Sequence, residues 1–273
     1  MRTLIFLIVF SAAFIIGSVV QACSVVYYKD AKTGKIYVAN NEDYWYDTEA
    51  HIQIEPGKDG EFSRLWYGWD DFAQGGVNEA GLFFDGAVTP QQTISDGFKK
   101  IKGNLGDEIL ANCHNVEQAL GLLKQKNVGL TNAHMMIGDS SGNAVVIEWT
   151  GAEMRLTWIS EGHLTMTNFL LSDTTAGNYP CHRYKSIEEN ISQLRSSKET
   201  ITLNKFGNVI NRAVQVPQTD ERGKIGGTLY SSFINITDME FVLVYKLDNT
   251  KVTKLDLKYE FQNTWKSRKI KLN

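Results

Sequence analysis

The feature that most constrains this chain is an apolar leader that runs almost directly into a strand, with one cysteine between them. After Met1-Arg2-Thr3 an almost unbroken apolar run extends from Leu4 to Val20. Val20-Gln21-Ala22 then puts apolar and small residues at the −3 and −1 positions of a cut before Cys23. A charged start, an apolar middle and a small-residue end describe a secretory signal peptide over residues 1–22. As a membrane anchor the run is at the short limit for about 30 Å of hydrocarbon, and Gly17 and Ser18 weaken its end. No flexible tether follows. Ser24-Val25-Val26-Tyr27-Tyr28 is β-branched and aromatic, Asp30–Lys35 turns, and Ile36–Asn40 returns. The processed chain is therefore expected to begin inside a β-hairpin, with Cys23 as its first residue.

Residues 23–273 have the length of one large domain, and no linker, repeat or low-complexity tract divides them. A hydrophobic share of 42% with 22% charged residues and 4 prolines supplies a real core. The net charge of −3 argues against a nucleic-acid partner, which needs a concentrated basic surface. The basic tail Lys266–Lys271 reads as a solvated charge run.

Strand patterns continue at His51–Ile54, Arg64–Tyr67 and Gly81–Ala87. Helical spacing follows over Asp107–Lys126, with a break expected near His114-Asn115. A second hairpin spans Ala133–Gly138 and Ala144–Trp149, and strands are expected at Met154–Ile159 and Leu164–Thr167. Helices near Tyr184–Leu194 and Asn208–Val214 precede strands at Thr228–Ile236, Glu240–Lys246 and Val252–Leu257. Strand runs and helix runs segregate, which predicts an α+β fold with largely antiparallel sheets.

The 3 cysteines are Cys23, Cys113 and Cys181. In an exported chain an odd count leaves a thiol over: Cys113 and Cys181 either bridge or stay buried thiols. The dipeptides Cys113-His114 and Cys181-His182 lack the two-to-four spacing of zinc ligands, so no metal and no cofactor is expected. Cys23 is different. Cut at Ala22, it carries both a thiol and a free α-amine. A thiol with a pKa of about 8.5 needs a base, and an α-amine titrating at about 7.7–8.0 is one. One residue then supplies nucleophile and base. The competing reading is a surface lipoprotein, lipidated at Cys23 and without chemistry. Against it, Gln21 fits a lipobox poorly and no polar tether follows Cys23.

Cys23-Ser24-Val25-Val26, the hairpin, and Val38-Ala39-Asn40-Asn41-Glu42-Asp43-Tyr44-Trp45 together resemble the opening of the choloylglycine hydrolase and penicillin V acylase group of N-terminal-nucleophile (Ntn) hydrolases. Further stretches follow in that family's order: Gly75–Leu82, His134–Asp139 with Val145–Glu148, Leu164–Asn168, and Gly227–Ser232, the last closer to its acyltransferase branch. The resemblance implies a four-layer αββα sandwich with two antiparallel sheets. It also implies an exported hydrolase of linear carboxamides that works through a thioester, without a cofactor. Passing the acyl group to an amine instead of water is the alternative.

Carried over, Cys23 matches the nucleophile, Asp43 the acid beside its amine, and Asn168 the side-chain donor of the oxyanion hole. The second donor, a backbone N–H, falls at Val88. Where the bile-salt branch has two arginines, this chain has Asn40 and Ser232, which makes a bile-salt substrate less expected. Arg183 is a candidate replacement. Asn41 belongs to the same motif, and Trp66 is a candidate for a substrate-pocket rim among Trp45, Tyr67 and Trp69. His134 reads as a satisfied core histidine, and Asn78 and Glu79 as turn residues. The expected partner is a small N-acyl amide with an apolar acyl group. The protein is expected in the periplasm or secreted, with no membrane span left after leader removal. Self-association into a homo-oligomer stays open.

Overall fold

A computed structural model describes residues 23–93, 96–99, 103–151 and 153–273; the expected signal peptide lies outside them. The chain opens with β1 (Ser24–Lys29), β2 (Ile36–Trp45), β3 (His51–Glu55), β4 (Arg64–Trp69), β5 (Phe72–Asn78) and β6 (Phe83–Val88). Helices α1 (Leu105–Asn112) and α2 (Val116–Lys126) lead to β7 (Ala133–Gly138), β8 (Ala144–Thr150), β9 (Glu153–Trp158) and β10 (His163–Met166). Then come α3 (His182–Ser196), α4 (Leu203–Asn211), β11 (Gln218–Thr219), β12 (Ile225–Asn235), β13 (Glu240–Tyr245), β14 (Val252–Asp256), α5 (Leu257–Asn263) and β15 (Arg268–Lys271).

Among these residues the strands form two sheets. One runs β10-β1-β2-β12-β13-β14 with β11 on β12; the other runs β15-β3-β4-β5-β6-β7-β8-β9. The expected hairpin pairs Ser24 with Asn41 through Lys29 with Ile36, antiparallel.

Side-chain alternation sorts the apolar residues into layers. Val25, Tyr27, Ile36 and Val38 of the first sheet meet Leu65, Tyr67, Met136 and Val146 of the second in the central core. Val26, Tyr28, Tyr37 and Ala39 point the other way, against Ile187 and Ile191 of α3 and Phe206 and Ile210 of α4. Trp66, Phe84, Met135 and Ile147 point outward from the second sheet against Ile109 of α1 and Leu120 of α2. The result is the αββα sandwich that the resemblance implied. Both sheets are covered on both faces over this region, which is why their strands read as nearly continuous apolar runs.

The break between α1 and α2 falls where expected. Cys113 is extended and Asn115 caps α2 by accepting from the Gln118 N–H. Four elements named here depart from expectation. β5 was not expected, because Gly75-Gly76 breaks its strand pattern. The fold needs that glycine: a Cβ at Gly75 would sit 2.2 Å from the Asp85 carboxylate. α5 begins where β14 was expected to run on, its turn nucleated by the Asp256 side chain accepting from the Tyr259 N–H. The basic tail keeps its side chains largely in water, but its backbone pairs with β3 as an edge strand, Arg268 opposite Ile54. The last helix before the C-terminal strands starts earlier than expected, at Leu203, capped by Thr202.

All three cysteines are buried and free. Cys113 lies in the core under α1 and α2, whereas Cys181 precedes α3 over the opposite sheet. The two thiols stand on opposite outer layers, so the bridge between them does not form. Among the described residues no helix is long and apolar enough to cross a membrane.

Candidate active site

Cys23 immediately precedes β1, and its side chain packs on the inter-sheet side with Val25 and Tyr27. There it lines a cavity of about 120 Å³ whose walls include Phe72, Phe84, Ala87, Val88, Leu105, Leu130, His134 and Met135. Among the described residues Glu42 is the one carboxylate that lines this cavity. The Cys23 thiol donates to Glu42 Oε1 at 3.3 Å. Burial, followed by the charges of Glu42 and Asp43, pushes the thiol well above its ordinary pKa, although the Asp43 main chain pulls it back in part. At rest the sulfur is therefore protonated, and its chemistry needs a base.

Arg183, in the first turn of α3, organises the other side. One guanidinium nitrogen donates to the Cys23 carbonyl at 2.8 Å and to Ser24 Oγ at 3.0 Å. The other donates to Asn168 Oδ1 at 2.9 Å. Because Arg183 can only donate, it fixes which way the Asn168 amide faces. The Asn168 Nδ2 then donates to the Val88 carbonyl at 2.8 Å. An amide nitrogen has two protons, so one remains for a substrate oxygen. Asn168 and Val88 thus come together, as expected. The contact between them uses the carbonyl of Val88.

Asp43 lies on the helix-facing side of β2. Its Oδ1 accepts from Thr228 Oγ1, and its Oδ2 lies 3.9 Å from Arg183. Among the described residues that Oδ2 has no hydrogen-bond donor. Burial raises Asp43 to about 7, against the Thr228 hydrogen bond and the Arg183 charge, which both lower it.

The remaining candidates separate. Asn40 and Ser232 face each other across the β2–β12 register. Asn40 donates to Asp85 Oδ1 at 2.8 Å, Tyr67 donates to Asp85 Oδ2 at 2.8 Å, and Ser232 is bonded to Tyr67. Where two arginines were missed, a buried neutral and acidic network stands. Asn41 points the opposite way, donating to the Ile210 carbonyl of α4 and accepting from Ser231 Oγ, so it anchors a helix. Trp66 is only 6% exposed and packs in the core under α1 and α2, edge-on to His51; it does not line the cavity. Tryptophan on β4 alternates away from the inter-sheet side, which the local aromatic cluster could not reveal.

His134 is satisfied on both nitrogens, by Glu148 Oε1 at 2.9 Å and the Thr167 carbonyl at 2.6 Å. Glu148 also accepts from the Leu171 and Ser172 N–H groups. Burial works against its ionisation, but the His134 and Ser172 hydrogen bonds win and hold Glu148 below its usual range. This pair pins both ends of the segment that carries Asn168. Asn78 bonds Leu110, Cys113, Ala80 and Leu82, and Glu79 accepts from the Ser63 N–H, as turn residues do.

Glu42 was not singled out from the sequence. The signal was available in the hairpin: with Ser24 opposite Asn41, strand pairing puts residue 42 beside residue 23.

Residues 30–250 match the model of the acyl-coenzyme A:6-aminopenicillanic acid acyl-transferase family. The chain belongs to this family. By sequence, no curated protein matches it significantly. In three dimensions it is similar to conjugated bile acid hydrolase from Clostridium perfringens, with a TM-score of 0.73 at 20% identity over 92% of this chain and 97% of that one. Penicillin V acylase from Agrobacterium tumefaciens aligns with a TM-score of 0.70 at 16% identity over 90% of each chain. At these identities the likeness shows the shared αββα fold.

Proposed function

We propose that this protein is an exported cysteine Ntn hydrolase that cleaves the C–N bond of a linear N-acyl amide. The observation that carries the reading is the position of Cys23. It stands immediately before a core strand, aims its thiol into an apolar cavity, and has its own carbonyl held by the arginine that orients Asn168. Cleavage after Ala22 would give Cys23 an α-amine at that strand end. An ammonium there would supply the donor that Asp43 Oδ2 lacks among the described residues, and the carboxylate would orient it in return.

In this mechanism the thiol gives up its proton, the sulfur attacks the amide carbon, and the carbonyl oxygen gains charge. The free Asn168 N–H and the Val88 N–H hold that oxygen. Removing one such donor typically costs about 3–4 kcal/mol of barrier. The ammonium gives its proton to the leaving nitrogen, and water clears the thioester. An apolar cavity of about 150 Å³ takes a benzene ring; the space here, about 120 Å³, is smaller and suits a short apolar acyl group. Two cations fewer than the bile-salt branch argues for a neutral substrate over a bile-salt conjugate.

Intact mass and N-terminal sequencing of the protein expressed with its own leader is the first test. A chain starting at unmodified Cys23 that hydrolyses the p-nitroanilide of butyric acid supports the reading. Lipid on Cys23, or full activity in Cys23→Ala, ends it in favour of a non-catalytic lipoprotein. The family match favours a second outcome, acyl transfer. Faster product release with an added amine, together with the new amide in the product, would assign it.

A further inference from the structure

We propose that Glu42 is a further catalytic group of this site: its carboxylate takes the proton of the Cys23 thiol as the sulfur attacks, and gives it back when the thioester is cleared. The inference rests on Cys23 being the nucleophile and assigns the base that serves the sulfur.

The geometry comes first. Glu42 Oε1 is the hydrogen-bond acceptor of the thiol at 3.3 Å, a normal sulfur–oxygen contact. Glu42 is 3% exposed, it lines the cavity with Cys23, and its Oε2 has no hydrogen-bond partner among the described residues. A buried carboxyl with an idle oxygen has no structural use that a leucine or methionine would not fill better. The groups facing it are Cys23 before β1, Asn40 and Asp43 of β2, Tyr67 of β4, Asp85 of β6 and Tyr230 of β12. Beyond Asp43 stands Arg183, 3.9 Å from its Oδ2.

The surroundings suit the role. An ordinary carboxylate is too weak a base for a thiol. Burial, helped by the charge of Asp43 and opposed by the bonds from Cys23 and Asn40, lifts Glu42 to about 8. Its proton affinity then approaches that of a thiol, which is where general-base transfer is efficient.

The protons balance. The reactive protonation state, populated as pH rises through about 8, holds an ammonium, an ionised Glu42 and a thiol. As the S–C bond forms, the thiol proton moves to Glu42 Oε1 and the carbonyl π pair moves to oxygen. The C–N bond breaks with a proton from the ammonium. Water then attacks the thioester and gives its proton to the neutral amine. The C–S bond breaks, and the departing sulfur recovers its proton from Glu42. Sulfur and nitrogen are each served by their own group, so the α-amine need not do both.

An activated ester tests this, because p-nitrophenolate leaves without a proton. Protein from the full-length gene is treated with p-nitrophenyl butyrate, and acylation of Cys23 is followed by intact mass and nitrophenolate release. The Cys23→Ala protein provides the background. In Glu42→Gln, acylation is expected to slow about 10²-fold and to lose the rise with pH through about 8. A carboxylate acting only through its field predicts the opposite sign, since removing its charge leaves a more ionised thiol. Equal or faster acylation in Glu42→Gln therefore overturns the role of Glu42 while leaving Cys23 as nucleophile. Undiminished acyl transfer to Cys23→Ala overturns the nucleophile, and Glu42 with it. Alkylation of Cys23 at pH 10 at the wild-type rate shows the thiol still in place. Glu42→Met, apolar and of similar length, should repeat the loss, and normal acylation in that variant also overturns the proposal.

Discussion

Arg183 connects the parts of the site that lie furthest apart in sequence. Its guanidinium binds the backbone of Cys23, the side chain of Ser24 and the amide of Asn168, and it stands within Coulomb range of Asp43. A lysine keeps the charge but lacks the planar fork. Arg183→Lys is expected to lose at least one charge-assisted bond of about 1.5–3 kcal/mol, roughly ten- to a hundred-fold in kcat. Steady-state rates within three-fold of wild type would remove this bridge from the mechanism. Asn168→Ala should lower kcat by about 10²–10³ and leave KM nearly unchanged. A pure KM effect would assign Asn168 to substrate binding instead of the oxyanion.

At the scale of elements, the site depends on how β7, β8 and the segment after β10 are fastened together. His134 of β7 and Glu148 of β8 are both fully buried, and between them they hold Thr167, Leu171 and Ser172. Removing one partner of such a pair leaves an uncompensated polar group. His134→Leu is expected to destabilise the fold by about 3–5 kcal/mol in chemical denaturation, a loss that a change below 1 kcal/mol would contradict. Close approach of α1 to the second sheet is a separate requirement. A Cβ at Gly106 would lie 2.0 Å from the Phe84 ring, which also lines the Cys23 cavity. Gly106→Ala should cost about 1–3 kcal/mol and narrow the cavity.

For the whole molecule, carboxylates shifted in opposite directions set a stability profile with two limbs. Glu42 and Asp85 have raised pKa values, chiefly through burial. Their contribution is complete below the unfolded carboxylate range and is lost as pH rises, for Glu42 through about 8. Glu148 and Glu188 are lowered because hydrogen bonds, from His134 and Ser172 and from His163 and Thr165, outweigh the burial that opposes them. Their contribution is present above the unfolded range and is lost as pH falls through their depressed values. The melting temperature should therefore fall toward both extremes. Glu42→Gln should flatten the alkaline limb and leave the acid limb alone, and an unchanged alkaline limb would mean that Glu42 ionises in the fold without penalty.

Strand by strand, much of this was legible in the chain. The hairpin of β1 and β2, the helix break before Asn115 and the β7–β8 hairpin follow from patterns of apolar residues and turn residues that act over a few positions. The motif positions Cys23, Asp43 and Asn168 were equally visible. β5 was not, because Gly75-Gly76 breaks its apolar pattern although it pairs with its neighbours β4 and β6, and β15 was not, because a charged tail has no local strand preference and its partner β3 is distant in sequence. Trp66 shows the same limit from the other direction, since an aromatic residue looks alike whether it faces a pocket or a helix. The partner of the nucleophile, the bridge made by Arg183 and the buried setting that lifts Glu42 were decided by tertiary structure alone. Local propensity acts through the backbone of neighbouring residues, whereas proton affinity depends on solvent exclusion and on charges brought within a few ångströms by folding.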